Sequence, residues 1–299
     1  MNFARPDYVD PSVILAESVE MAALLDNALL IDREEKAANR YNDRPKSLGA
    51  GRVGHPCASA PYERGCERAL YYEMRMYKTE KPFPPFLYRI FEMGHQGEDI
   101  VVENLRLAGF TVLTHDEKTG NQFGFAIAHD PETGFPRYKG FCDGVIVAGP
   151  ESMGGVVLKY PMLWENKMLN NKGFDSFVSK GLEKAYPKYY AQTLQYQNFL
   201  NLFQNPALLT CGNRNTGHIA SEFIRFNQKH CQAIIDRASR VIEAKGPLAL
   251  ERGASEYEKL PCKWCEYREQ CRKDEEHRPQ APSNEQQTAP SWLSQGSQG

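Results

Sequence analysis

Several absences narrow the reading of this 299-residue chain before any motif is considered. No apolar run approaches the roughly 18 residues that a membrane-spanning helix needs. The opening residues, Met1 to Asp7, contain no apolar stretch of the kind a secretory leader carries, so an export signal is not expected. Charge of one sign is also lacking. The 36 basic and 38 acidic residues leave a net charge of -2, which excludes a polycationic nucleic-acid coat but leaves room for a local basic groove. Cysteine is sparse, at 8 residues, too few for a disulfide scaffold at this length; reduced thiols and a cytoplasmic setting are expected. No G-x-x-x-x-G-K-[S/T] loop occurs, so an intrinsic ATPase is not expected. There is no internal repeat. What is present is apolar mass: hydrophobic residues make up 41% of the chain, with 15 Phe and 15 Tyr, enough to build a core.

Hydrophobic periodicity predicts helices over 11–40, 66–77, 86–108, 174–180, 187–203 and 228–249. Strands are expected over 110–114, 123–128, 138–148, 156–168, 207–211 and 219–226. Gly109 is placed to end the third helix, and residues 44–61 read as a loop rich in Gly and Pro. The expected organisation is an N-terminal helical segment (1–54), a main domain (55–272) and a disordered Pro/Ser/Gln-rich tail (273–299).

Polar groups then fall where core residues are expected. On the helix from Phe86, Leu87, Phe91, Gly94, Glu98, Val101 and Leu105 step along one face, with Glu98 in the middle and Gly94 allowing close approach. A buried carboxylate needs a cation, a metal or a proton. In the strand that follows, Asp143 shares a face with Phe141, Val145 and Val147, although an Asp beside Gly144 also fits a bulge or strand end. Glu165 and Lys167 share a face in the next strand, flanked by Trp164 and Met168. Gln192 lies on an aromatic helical face with Tyr189, Tyr196, Phe199 and Phe203, where its amide must find partners. Taken together, three carboxylates, a Lys and a Gln suggest one site for a hard divalent cation, Mg²⁺ or Mn²⁺, with the chemistry of phosphodiester hydrolysis.

This order of elements resembles the PD-(D/E)XK nuclease superfamily, in its RecB-like branch. The family's Asp is matched by Asp143 and its Glu-x-Lys by Glu165-Asn166-Lys167. Its upstream helix motif is matched by Gly94-His-Gln-Gly-Glu98, and its downstream Gln-x-x-x-Tyr by Gln192-Thr-Leu-Gln-Tyr196. Cys142 stands where the family often has Pro, and the interval from Asp143 to Glu165 is long. The resemblance implies an α/β restriction-endonuclease-like core, a mixed central sheet flanked by helices. It implies that Glu98, Asp143, Glu165 and the Asn166 backbone carbonyl hold the cation, with His95 as the alternative to Glu98. Lys167 would position the attacking water or offset phosphate charge, while Gln192 and Tyr196 would support the site and contact DNA.

A second motif lies near the C-terminus. Cys262, Cys265 and Cys271 form C-x2-C-x5-C, one thiol short of a tetrahedral set. Cys66-Glu-Arg68-Ala-Leu-Tyr71 resembles the N-terminal Cys-x-Arg-x-x-Tyr of iron–sulfur nucleases of the AddB and CRISPR-associated exonuclease groups. That resemblance implies a [4Fe–4S] cluster on Cys66, Cys262, Cys265 and Cys271, a structural staple between the ends of the domain. Zinc is the alternative occupant, and Cys57 is the rival of Cys66. The remaining cysteines, Cys142, Cys211 and Cys231, read as ordinary buried thiols.

From Lys159 to Lys188 there are six Lys against three acids. Lys172, Lys180, Lys184 and Lys188 are the expected phosphate contacts. The expected function is a metal-dependent DNA exonuclease of recombination or repair, of phage or prophage type, with DNA and a recombination or single-strand-binding protein as partners. Two competing readings are a DNA-binding or assembly module with a vestigial site, and a zinc-stapled structural protein.

Overall fold

The computed structural model describes residues 11–43, 47–53, 66–75, 84–248, 262, 265 and 267–276. Cys57 and most of the C-terminal tail lie outside them. Among the described residues no helix is long and apolar enough to cross a membrane.

The chain forms two units, the smaller made of residues 1–44 and 82–92 and the larger of 45–81 and 93–299. The smaller unit contains helix α1 (Pro11–Asp43) and the start of α4 (Pro85–Leu107). Within it Arg89 pairs with Asp26 at 2.8 Å, and Arg33 sits 5.1 Å from the centre of the Tyr88 ring.

The larger unit is a mixed α/β layer structure. Its main sheet has five strands: β10 (Ile219–Ile224), β9 (Ala207–Asn213), β8 (Met162–Leu169), β5 (Gly144–Ala148) and β2 (Thr111–Leu113), in that spatial order. Only β8 and β9 run parallel; the other neighbours are antiparallel. Alternate residues of β8 leave the sheet on opposite faces. Met162 and Trp164 join a cluster with Val101 and Val102 of α4. Leu163 and Leu169 join a larger one with residues of α3 (Glu67–Met74), α7 (Pro187–Phe199) and α8 (Gln228–Glu243). Helices therefore cover both faces of the main sheet.

A second sheet has three strands, β1 (Leu48–Gly49), β4 (Pro136–Phe141) and β3 (Gly124–His129), in that order. A short hairpin joins β6 (Ser152–Met153) to β7 (Val156–Val157). Helices α5 (Asn171–Lys180) and α6 (Leu182–Ala185) lead into α7, and α9 (Arg268–Glu276) closes the described chain.

Three expectations need correction. The strand expected over 138–148 is two strands in different sheets, broken at Cys142 and Asp143. The period-of-two face through Asp143 therefore does not exist: Phe141 and Val147 are exposed, and Asp143 sits at the strand end beside Gly144. The segment expected as loop between 44 and 61 contains β1 and the short helix α2 (Ala50–Val53), with Leu48, Ala50 and Val53 buried. The buried face of α4 is also narrower than its apolar stripe, holding only Gly97, Val101 and Val102, while Phe91 is exposed.

The glycine that admits close approach on α4 is Gly97, not Gly94. A Cβ on Gly94 would meet nothing, whereas one on Gly97 would strike the Met168 side chain. Gly212 of β9 presses on the same methionine from the neighbouring strand. Met168 is thus held between two glycines, and α4 rests on the sheet at this point. Gly97→Val should destabilise the protein by about 1–3 kcal/mol through overpacking, read as a lowered urea midpoint at unchanged m-value; unchanged stability would show that α4 can shift without cost.

Candidate active site

The break between β4 and β5 points the Asp143 carboxylate toward β8. Its Oδ2 accepts the backbone N–H of Asn166 at 2.7 Å, while the Asp143 N–H donates to Glu165 Oε1 at 3.3 Å. Two backbone amides thereby fix two carboxylates across neighbouring strands. Lys167 supplies the balancing charge. Its Nζ donates to Glu165 Oε2 at 3.0 Å and to the Asn166 carbonyl at 2.7 Å, and lies 3.5 Å from Asp143 Oδ2. The Asn166 carbonyl, expected as a metal ligand, is here an acceptor for Lys167.

Burial makes these charges consequential. Glu165 is 1% exposed. Desolvation, with the neighbouring Asp143 charge, pushes its carboxyl well up, although Lys167 opposes the shift. For Lys167 burial acts to lower the ammonium, but Asp143 and Glu165 outweigh it and hold the group above its usual value. Glu98, at 32% side-chain exposure, lies at the margin of the buried face of α4 and not in its middle. Burial and then Asp143 push Glu98 up, to about 6. His95 is mostly exposed, and its Nδ1 lies 3.8 Å from Glu98 Oε2.

Helix α7 covers the cluster. Tyr189 places its ring centre 5.5 Å from Lys167 Nζ, a cation–π contact. Gln192 donates to the Tyr196 hydroxyl at 2.9 Å, and buried Tyr196 is raised by desolvation and by the Glu165 charge. The helix ends at Phe199, so Phe203 is not on its face; Phe203 instead packs on Phe226. Sequence reasoning missed Gln195. Fully buried, it donates to the Ala50 and Ala191 carbonyls and accepts from Tyr138, which ties α2, β4 and α7 together. Its only sequence signal was its position three residues after Gln192 and four before Phe199, at the edge of the same aromatic stripe.

An open cavity of about 590 Å³ adjoins this cluster. Its lining includes Glu98, Asp99, Asp143, Tyr196, Lys139 and Phe141. Lys172, Lys180, Lys184 and Lys188 are exposed and do not line it. Lys139, which does, had drawn no attention in the sequence.

The donor set suits a hard divalent cation: carboxylate oxygens and one carbonyl oxygen, with carboxyls raised first by burial and then by the neighbouring Asp143 charge, which such a cation would offset. As arranged, no three His, Cys, Asp or Glu side chains among the described residues are drawn together as a metal-binding set.

Far along the chain, Cys66 caps the start of α3, and Cys262, Cys265 and Cys271 lie at or near the start of α9. Burial pushes the Cys265 thiol up to about 11, with Cys66, Cys271 and Cys262 all adding to the shift, so the four residues are neighbours. Arg68, 1% exposed, links the two segments. It donates to the Leu248 carbonyl and to Glu275, both at 2.6 Å, and its Nη1 lies 3.6 Å from Cys271 Sγ. Tyr72 donates to Asp274 at 2.6 Å. Cys142, Cys211 and Cys231 are buried elsewhere, each raised by desolvation.

No protein-family model and no curated relative matches the sequence. Among solved structures the chain is similar to an alkaline exonuclease, LHK-Exo, from Laribacter hongkongensis: 16% identity, TM-score 0.41, covering 67% of this chain and 87% of that one. The same exonuclease in complex with dAMP matches at 15% identity and TM-score 0.41, over 66% and 86% of the two chains. A protein named SSO0001 matches at 13% identity and TM-score 0.41, over 83% and 94%. The functional reading rests on the residues of this chain.

Replacing Lys167 by Met should destabilise the fold by about 3–5 kcal/mol, since it strands two buried carboxylates. Adding Glu165→Gln should recover most of that loss. Urea denaturation of the two variants tests the pairing; equal stability of Lys167→Met and wild type would mean that the charges are solvated.

Proposed function

We propose that the protein is a metal-dependent deoxyribonuclease of the PD-(D/E)XK type, acting as an exonuclease on DNA ends. One observation carries this reading. Asp143, at a strand break, and Glu165 and Lys167, on the adjoining strand, meet in a buried cluster whose first member faces an open cavity. Burying three ionisable groups together is costly for a merely structural element, because apolar residues of similar volume would serve stability as well or better. A chemical role gives the arrangement a reason.

In this reading Asp143, Glu165, Glu98 and the Asn166 carbonyl hold Mg²⁺ or Mn²⁺, with His95 as the alternative to Glu98. Such a cation would supply Lewis-acid charge to the scissile phosphate. Lys167 keeps its proton, because two carboxylates face it; it orients water for in-line attack or offsets charge on the phosphate oxygens. Gln192 fixes the Tyr196 hydroxyl at the cavity wall, and Tyr189 confines the Lys167 side chain. Lys172, Lys180, Lys184 and Lys188 add distant phosphate contacts that give affinity without sequence preference.

The four neighbouring cysteines support a second element, a [4Fe–4S] cluster with a structural role, zinc being the other candidate. The Arg68 and Tyr72 contacts already join the two segments that such a group would bridge. A reducing cytoplasm and a role in recombination, repair or phage DNA processing fit this assignment, as does a recombination or single-strand-binding partner.

End-labelled DNA should be degraded with Mg²⁺ or Mn²⁺, spared in EDTA, and spared by Glu165→Gln by a factor on the order of 10³. Undiminished cleavage by purified Glu165→Gln would refute the assignment. Anaerobically purified protein should contain iron and acid-labile sulfide near four each per chain; stoichiometric zinc without iron would replace the cluster with a zinc staple.

A further inference from the structure

Among the described residues, the outer face of the three-stranded sheet carries mostly small side chains around Lys139. Lys139 of β4 is flanked by Gly49 on β1 and by Ala126 on β3. Phe141, two residues on and on the same face, pairs with Gly124. Among the described residues of these strands, Lys139 and Phe141 are the large side chains on this face at this end, and both line the cavity that holds Asp143.

Phe141 is 48% exposed. Its ring is nevertheless held in place, because it lies against Gly124, where any Cβ would collide with the ring and with the Gly140 carbonyl. An aromatic ring covering a glycine on a neighbouring strand is a known means of stabilising a sheet. The same side chain also lines the cavity. The loop side of the cavity is fixed as well, since Gln122 donates to the Cys142 carbonyl at 2.9 Å, beside Asp143.

From this geometry we infer that the face carrying Lys139 and Phe141 is a stacking platform for single-stranded DNA. The inference rests on the nuclease reading and adds a substrate preference to it. A flat base can lie on the half-exposed Phe141 ring only if it is unpaired, and Gly49, Gly124 and Ala126 leave room for it. Lys139 stands one step along the same strand, where the phosphate of the adjoining nucleotide would lie. Phe141 and Asp143 are two residues apart, at most about 7 Å between Cα atoms. A base stacked on Phe141 therefore has its own phosphodiester linkage within reach of the acidic cluster. The preferred substrate is an unpaired strand or a frayed end, and Phe141 sets where along it the cut falls.

The test is an abasic scan of binding by the full-length protein in EDTA, read by fluorescence anisotropy. Single-stranded oligodeoxynucleotides carry one abasic nucleotide, moved along the terminal positions of each end. Wild type should bind the unpaired strand more tightly than a blunt duplex, and should lose about tenfold in affinity when one particular base is removed. Phe141→Leu should bind the intact and abasic strands alike, and Phe141→Trp should restore the difference. Lys139→Gln should lower the slope of log affinity against log salt by about one. The platform is overturned if wild type binds no strand, if no abasic position matters, or if Phe141→Leu keeps the wild-type pattern. Thermal melting checks that Phe141→Leu is folded. Failure of the nuclease reading is separate: it shows as unchanged cleavage by Glu165→Gln, whatever the abasic scan gives.

Discussion

Two carboxylates and an ammonium cannot be buried together unless each is held by the others, and the arrangement of the larger unit follows from that constraint. Lys167 draws Glu165, the Asn166 carbonyl and Asp143 toward one point, while backbone amides of Asn166 and Asp143 hold the carboxylate oxygens. This geometry requires β5 and β8 to be paired and the chain to break just before β5. Register is therefore enforced twice, by the apolar alternation of β8 and by the polar cross-links at Asp143. A slip of one residue would send Glu165 and Lys167 to the face occupied by Trp164 and bury them against α4 with no partner.

The break before Asp143 also joins two sheets. Strand β4 belongs to the three-stranded sheet and β5 to the five-stranded one, and only Cys142 and Asp143 lie between them. Whatever binds on the outer face of β4 is thus carried by the same strand that delivers Asp143. Gln195 and Tyr138 brace that strand from behind, and Gly140 lets Tyr196 approach it closely. Site and proposed platform are joined by covalent continuity and by a buried amide.

Much of this was legible from periodicity. The extents of α1, α4, α5 and β9 follow from spacing and from Gly109, which does take up a left-handed conformation with φ of 90° after α4. The shared face of Glu165 and Lys167 followed from the alternation of β8, whereas Asp143 joins them from a strand break and not from the apolar face expected for it. What was not legible depends on distant contacts. Cys142-Asp143 reads as the middle of a strand because both flanks are strand-like, and only the two sheets reveal the break. Gly94 and Gly97 are equivalent in spacing, and Met168, far along the chain, decides which one is compressed. Leu48 to Val53 looked like loop because two glycines interrupt it, yet its apolar residues fill a slot made by α7 and α8.

The net charge of -2 describes no surface of this molecule. Glu98, Asp143 and Glu165 are buried or half-buried, and the last two are partly offset by Lys167, whereas the exposed lysines of α5 to α7 face solvent. Such a separation suits a polyanionic ligand. In the proposed nuclease reading, phosphates would meet cations first, at Lys139 and along α5 to α7, and would approach the carboxylates where a divalent cation reversed the local sign. A uniformly basic protein would bind nucleic acid along its whole surface. In the proposed reading, one whose acids are concentrated at a single cavity would bring the scissile linkage onto those acids only with a cation bound, while Lys139 and Phe141 beside them would hold a strand without it.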